Sequence, residues 1–358
     1  MAYGTINADQ IGTSVANTSL GAGDASLLKN RIINGAMVID QRNAGASVTA
    51  TTSNLYTIDR WQAFATQSSK YTVQQNAGSV TPPAGFTNYL GVTSLAATSV
   101  GASDFYLISQ GIEGYNFADL SWGTANAKTI TISFWVRSSL TGTFGSSLTN
   151  GGNRSYPFTY TISSANTWEQ KSVTIAGDTT GTWNTTNTAA AFLFFSLGAG
   201  STWSATAGSW QAGNYLSSTG ATSVVGTNGA TFYITGVQLE VGSSVTGFEY
   251  VNYQTSLANC QRYYQKTGFG MCGRAEATTL ATLSGKYIVE MRSAPTATLL
   301  SGTTALATFG VSAYDVSSLA TTSNSTNDFR QAFNSSGMTT GNIINGYAAN
   351  FLGWSAEL

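Results

Sequence analysis

Apolar residues recur at every second position through much of this chain. From Thr129 to Ser138, Ile130, Ile132, Phe134 and Val136 fall on one face, while Thr131, Ser133, Trp135 and Arg137 fall on the other. That period of two is the mark of a half-buried strand. Phe158, Tyr160 and Ile162 repeat it, as do Val173 and Ile175. Ala191 to Leu197 is apolar on both faces and predicts a strand covered on two sides. In Phe232 to Val241 the phase slips, with Phe232 and Ile234 even, then Val237, Leu239 and Val241 odd. Gly236 stands at the slip, where a bulge returns both sets to the core. Tyr287, Val289 and Met291 alternate again, and Phe351 to Leu358 reads as a closing strand. Gly-, Asn- and Ser-rich stretches separate these runs, with no helical period between them. The prediction is all-β, an antiparallel sandwich.

One segment breaks the pattern. Leu257, Cys260, Tyr263 and Tyr264 share a stripe at helical spacing, Thr255 or Ser256 can cap it, and Gly268 and Gly270 end it. A helix over 255–266 is therefore expected to join a large sandwich at 36–254 to a smaller β-domain at 267–358. Residues 1–35 keep no apolar period and read as an extended N-terminal segment, either a loose tail or an arm that orders against a partner.

Composition narrows the function. Charged residues make up 9% of 358, against about 25% in ordinary proteins, while 8 Trp, 17 Tyr and 17 Phe supply a core. A monomer with so few surface charges would risk association, so composition predicts something other than a lone monomer. The formal charge is -1, and no basic residue lies between Lys171 and Arg262. Nucleic-acid binding through phosphates and polybasic membrane binding are both excluded as leading readings. No apolar run approaches the length of a membrane span, so no membrane insertion is expected. Met1-Ala2-Tyr3-Gly4-Thr5 lacks the features of a secretory signal, which predicts assembly in the cytosol. Cys260 and Cys272 are expected to be free thiols, although their spacing permits a bridge.

With no histidine anywhere, Ser-His-Asp and Cys-His catalysis and His-containing metal sites are excluded. No phosphate loop or calcium loop is present, and neither a cofactor nor a metal is expected. A glycosidase needs two carboxylates, for which Glu113 with Asp119 and Glu240 with Glu249 are candidates; their spacing alone places neither pair across a bond. Asp40, Arg42, Asp59 and Arg60 read as structural ion pairs. The expectation is a non-enzymatic protein.

Two resemblances add to this reading. Asn30-Arg31-Ile32-Ile33-Asn34-Gly35, Ile39-Asp40-Gln41-Arg42-Asn43 and Tyr56-Thr57-Ile58-Asp59-Arg60-Trp61 resemble the opening of bacteriophage tail-fibre and virion structural proteins. Gly236 to Gly242, Phe248-Glu249-Tyr250 and Cys260-Gln261-Arg262-Tyr263-Tyr264 are similar to their close. Asn34-Gly35, Trp61, Gln110, Ser133 to Val136, Trp168 and Tyr233 to Glu240 also resemble carbohydrate-binding jelly-roll modules. These likenesses imply a jelly-roll-like sandwich in a homotrimeric tail fibre, located in the virion. Residues 1–35 would dock to other virion proteins, and the β-sandwich domains would project outward, with either the large sandwich or the smaller C-terminal domain meeting the host surface. A capsid-bound head fibre or decoration protein, and a glycan-depolymerising tailspike, are the alternatives. Sugars present flat C–H faces that dock on aromatic rings. Trp183, Trp203, Trp210 and Tyr215 lie in Gly/Ser/Thr/Asn-rich stretches outside the alternating runs and are the candidate contacts to a host cell-surface glycan, set against burial under folded loops. Phe134, Trp135, Phe192, Phe194 and Phe195 are expected in the core or at an interface.

Overall fold

The computed structural model describes residues 29–268, 270–300, 304–308, 312–346 and 351–358. The chain divides into two compact units after Val251. No described helix is long and apolar enough to cross a membrane.

The first unit is an antiparallel sandwich. One sheet runs, in spatial order, Val48–Thr49, Tyr71–Gln75, Leu90–Ser94, Thr231–Val241, Ile130–Ser138 and Glu169–Ile175. The second runs Gln211–Ala212, Arg154–Ile162, Gly142–Thr149, Ala189–Ala199, Phe105–Glu113, Trp61–Ala65 and Leu55–Ile58. The chain passes repeatedly between sheets, as the jelly-roll-like expectation requires. The inward halves of the alternating strands make the core, where Phe134 lies 5.0 Å from both Tyr160 and Phe195, and Phe144 lies 5.9 Å from Phe232. Ala191, Leu193, Phe195 and Leu197 face this core, and Phe194 packs on the opposite face with Phe105, Leu107 and Leu216. The strand is thus covered on both sides.

The bulge falls at Gly236, with φ +60° and a register shift between Thr235 and Gln238. Past Ile234 the strand Leu90–Ser94 no longer pairs with Thr231–Val241. Residues 30–35 take its place. Arg31 N donates to Leu239 O and Val237 N to Gly35 O, both at 2.9 Å. Asn30 Nδ2 donates to Val237 O at 3.0 Å, and its Oδ1 accepts from Leu239 N and Ile32 N. A Cβ on Gly35 would lie 2.1 Å from Val237 O, so only glycine fits. Asn34 then ties the next turn: its side chain bonds Ile39 N, Ile39 O and Asp59 O, and Trp61 Nε1 donates to its carbonyl. Residues 29–35 therefore belong to the sandwich and not to an arm, because their polar groups complete an open strand edge. The remainder of the expected arm, residues 1–28, lies outside the described residues.

The second unit, from Asn252, has two further sheets. Tyr264–Thr267, Leu352–Ser355 and Thr296–Leu299 form the smaller. The larger runs Ser312–Asp315, Thr304–Thr308, Ile343–Gly346, Cys272–Ala277, Leu280–Lys286, Asp328–Asn334 and Ser318–Asn324. The helix is Tyr253–Gln261, shorter and earlier than the expected 255–266. Asn252 caps it by accepting from Thr255 N at 2.9 Å, and Tyr264 has already entered a strand opposite Ser355. The alternation at Tyr287, Val289 and Met291 does not form a strand. Gln265 there accepts from Ile288 N and donates to Val289 O, so a side chain meets backbone groups that a ladder would otherwise take. Both cysteines are free, Cys260 buried and Cys272 exposed.

Removing the Asn30 side chain leaves buried backbone groups of Val237 and Leu239 without partners, at roughly 1–3 kcal/mol per unsatisfied group. Asn30→Ala should lower the stability of the sandwich by about 2–4 kcal/mol in urea unfolding. A loss below about 0.5 kcal/mol would remove the string from this role.

Candidate functional site

Two loops of the first unit and one from its long excursion before Thr231 converge on an aromatic cluster. Trp122 follows the turn Ala118–Leu120, Trp183 lies between strands Glu169–Ile175 and Ala189–Ala199, and Trp210 precedes Gln211–Ala212. Ring centroids stand 4.7 Å apart for Trp122–Trp183, 5.2 Å for Trp122–Trp210 and 5.5 Å for Trp183–Trp210, all near perpendicular. Phe117 stacks on Trp183 at 5.6 Å, and Tyr156 meets Trp210 edge-on at 5.3 Å. Edge-to-face packing of this kind stabilises beyond the area it buries. Each indole N–H binds a loop carbonyl: Trp122 that of Lys128, Trp183 that of Thr180, Trp210 that of Ala176.

An ion pair locks the cluster from behind. Arg154 Nε and Nη2 donate to the two oxygens of Asp178 at 2.7 and 2.8 Å, and the guanidinium lies 5.8 Å over the Trp210 ring. Asp178 also accepts from the N–H and hydroxyl of Thr180, and its carbonyl accepts from Gly123 N. Burial raises the Asp178 carboxyl, but the Arg154 and Thr180 bonds outweigh it and hold it below the usual aspartate value.

Beside the cluster opens a cleft of about 350 Å³. Phe117, Trp122 and Trp183 supply its rings, and Ser121, Thr124, Asn126 and Asn184 supply hydroxyls and amides. No ionisable group is among its described lining residues. Apolar rings beside neutral hydrogen-bonding groups suit a neutral polyol with flat C–H faces, such as a sugar.

Of the four candidate aromatics, the structure brings Trp183 and Trp210 together and places Trp183 at the cleft. Trp183 is only 7% exposed, and the other three are half-buried. Of the two readings weighed for them, burial under folded loops is what the fold has: indole donors and ring stacking fold the loops back onto the sandwich. Trp203 donates to Ser103 O and meets Phe105 at 5.2 Å. Tyr215 N donates to Ser155 Oγ. Trp122 and Phe117 were missed, although Ser121-Trp122-Gly123-Thr124 has the same loop composition as the four chosen sites. Trp135, expected in the core or at an interface, is half-buried on the outer face of the first sheet.

The four candidate catalytic carboxylates are each buried or bonded within the fold. Asp119 pairs with Arg31 at 2.8 Å, and Glu113 is 1% exposed. Glu240 accepts from Thr246 N and Oγ1 and from Gln238 Nε2, and Glu249 accepts from Asn30 N. Asp59 accepts from Gln41 N and Nε2, and Asp40 from Asn43 N and Gly45 N. Arg42 lies over the Tyr56 ring, and Arg60 donates to Gly111 O. The second unit carries a groove of about 840 Å³ along Cys272, Ser284, Lys286, Asp328, Phe329 and Arg330, where Phe329 is the one ring among the described lining residues.

No protein-family model and no curated protein matches the chain. Among solved structures, a bacteriophage CBA120 tailspike protein 4 enzymatically active domain aligns at 12% identity and TM-score 0.30, over 60% of this chain but only 21% of its own. A family 4 carbohydrate-binding module aligns at 16% and 0.29, over 58% of this chain and 98% of its own. The family 11 carbohydrate-binding module of Clostridium thermocellum, in complex with a mixed-linked tetrasaccharide, aligns at 9% and 0.27, over 56% and 98%. Likenesses at this level carry neither a ligand nor a partner over to this chain.

Two outcomes are expected. Trp210→Ala should destabilise the sandwich by about 2–4 kcal/mol in denaturant unfolding, as removal of a packed ring does; an unchanged midpoint would mark the ring as free. The depressed Asp178 contributes stability that is complete above the unfolded-state value of about 3.9 and is lost as pH falls through the lower folded value. Below about pH 4 the wild type should therefore lose stability more steeply than Asp178→Asn. Equal acid slopes in thermal melts would contradict the pair's role.

Proposed function

We propose that this chain is a non-enzymatic structural protein of a bacteriophage particle, a tail fibre or similar appendage whose sandwich binds glycan through the ring-lined cleft. The cleft carries the glycan part of this reading: three rings, neutral hydrogen-bonding groups and about 350 Å³, enough for one or two sugar residues. Support for the non-enzymatic part comes from the carboxylates, held by backbone N–H groups and ion pairs within the fold. The particle reading rests on the two strings that resemble virion proteins, residues 30–61 and 236–264. Homotrimer formation, docking through the N-terminal residues and a place in the virion belong to the same proposal. The composition, 9% charged, favours a subunit with large covered surfaces.

The test combines location and binding. Antibody against the chain should label an appendage of intact particles in electron micrographs; labelling of the capsid shell would turn the reading toward a decoration protein. Purified chain should bind neutral oligosaccharides on a glycan array. Ala118→Arg, an exposed rim substitution, should weaken that binding by at least about tenfold without shifting the melting temperature. Binding unchanged by Ala118→Arg would sink the cleft as the site.

A further inference from the structure

The outer face of the first sheet carries a tryptophan unlike the others. Trp61, Trp122, Trp168, Trp183, Trp203, Trp210 and Trp354 each donate the indole N–H to a protein oxygen. Trp135 has no such partner among the described residues and stacks on none of their rings. It lies half-buried in Ile130–Ser138, whose Ile132, Phe134 and Val136 fill the core, so its ring faces outward. A buried indole usually finds an acceptor; one left open on a sheet face is available to a ligand.

Its neighbours suit one kind of ligand. Arg137 follows two positions along, on the same face. Arg137 Nε donates to Asn166 O at 3.0 Å, and the guanidinium lies 5.4 Å over the Tyr233 ring. These two contacts orient the fork, while neither Nη has a partner among the described residues. Gln170, exposed, stands opposite Trp135 across the ladder. Phe86 borders the ring over Gly236, where an added Cβ would lie 2.6 Å from Phe86 and 3.1 Å from Trp135. The nearest carboxylate along the edge strand, Glu169, pairs with Lys171 on that strand's other face.

We infer that this face is a second glycan site, selective for a sugar bearing a carboxylate. The sugar's C–H face rests on Trp135, its carboxylate takes the two free Nη groups of Arg137, and the Gln170 amide meets a hydroxyl. An oriented guanidinium binds a carboxylate bidentately, and its prior anchoring lowers the ordering cost. The site shares no residue with the uncharged cleft and stands or falls apart from it.

The probes are uronate- and sialate-containing oligosaccharides on an array, each beside its carboxyl-reduced counterpart, with phosphorylated glycans as a third arm. The full chain should bind acidic members at least about tenfold more tightly than their reduced forms, with the preference weakening at high salt. Arg137→Gln should level the two. Trp135→Ala should remove the preference for acidic members, and Ala118→Arg should leave that preference unchanged. Circular dichroism and melting of Trp135→Ala establish that it folds; Arg137→Gln provides an independent reading if it does not. Binding of no acidic glycan, equal binding of acidic and reduced forms, binding confined to the phosphorylated arm, or acidic binding that survives Arg137→Gln would each overturn the inference.

Discussion

The open edge of Thr231–Val241 is the constraint on which the first unit depends. Buried backbone N–H and C=O groups must find partners. A strand that bulges at Gly236 and outruns its neighbour Leu90–Ser94 leaves Val237 and Leu239 without them. Residues 30–35, some 200 positions earlier, supply what is missing through Arg31 N, Gly35 O and both ends of the Asn30 amide. From that join Asn34 reaches Trp61 and Asp59, and Ile33 exchanges hydrogen bonds with Gln110 on the facing sheet. Residues 30–35 and the strand edge past Gly236 are therefore one device for closing the sandwich.

A chain with few charges holds its loops by other means. Most of its tryptophans act as two-ended ties, an indole N–H on a loop carbonyl and a ring in an edge-to-face stack. Trp122, Trp183 and Trp210 do this together, and the Arg154–Asp178 pair supplies the one strongly charged clamp behind them. The rings at the cleft are thus fixed by the fold before any ligand arrives, which lowers the ordering cost of binding. Trp135, which has neither tie among the described residues, is left half-buried on the outer sheet face.

Much of this architecture was legible in the sequence. Period-two alternation identified the inward residues of Ile130–Ser138 and Arg154–Ile162, and the phase slip located the bulge at Gly236, because both follow from the pleat. The helix start was misread because Asn252 can cap as well as Thr255, and a stripe of four residues does not choose between them. The strand expected at Tyr287–Met291 failed because alternation there reports burial of Tyr287 and Met291 without reporting whether the backbone has a neighbour. Residues 29–35 looked like an arm for a related reason: short polar side chains that bond a distant strand edge carry no period. The candidate rings were half legible. Loop composition pointed to Trp183 and Trp210 and would have pointed to Trp122, but it left contact with a ligand and burial under a folded loop both open, since nothing local records where an indole N–H will bond. Trp135 was assigned to the core or an interface although it lies on the polar face of its own strand, beside Thr131, Ser133 and Arg137.

The central claim is that ring-bearing surfaces on a prearranged sandwich meet glycan. The eight tryptophans give one indole N–H signal each in a nitrogen–proton correlation spectrum, and these can be followed while a bound glycan is titrated. The account predicts shifts at Trp122 and Trp183 with a neutral glycan, and no change at the core indoles of Trp61 and Trp354. Shifts spread over all eight, or none at Trp122 and Trp183 at saturating ligand, would contradict it.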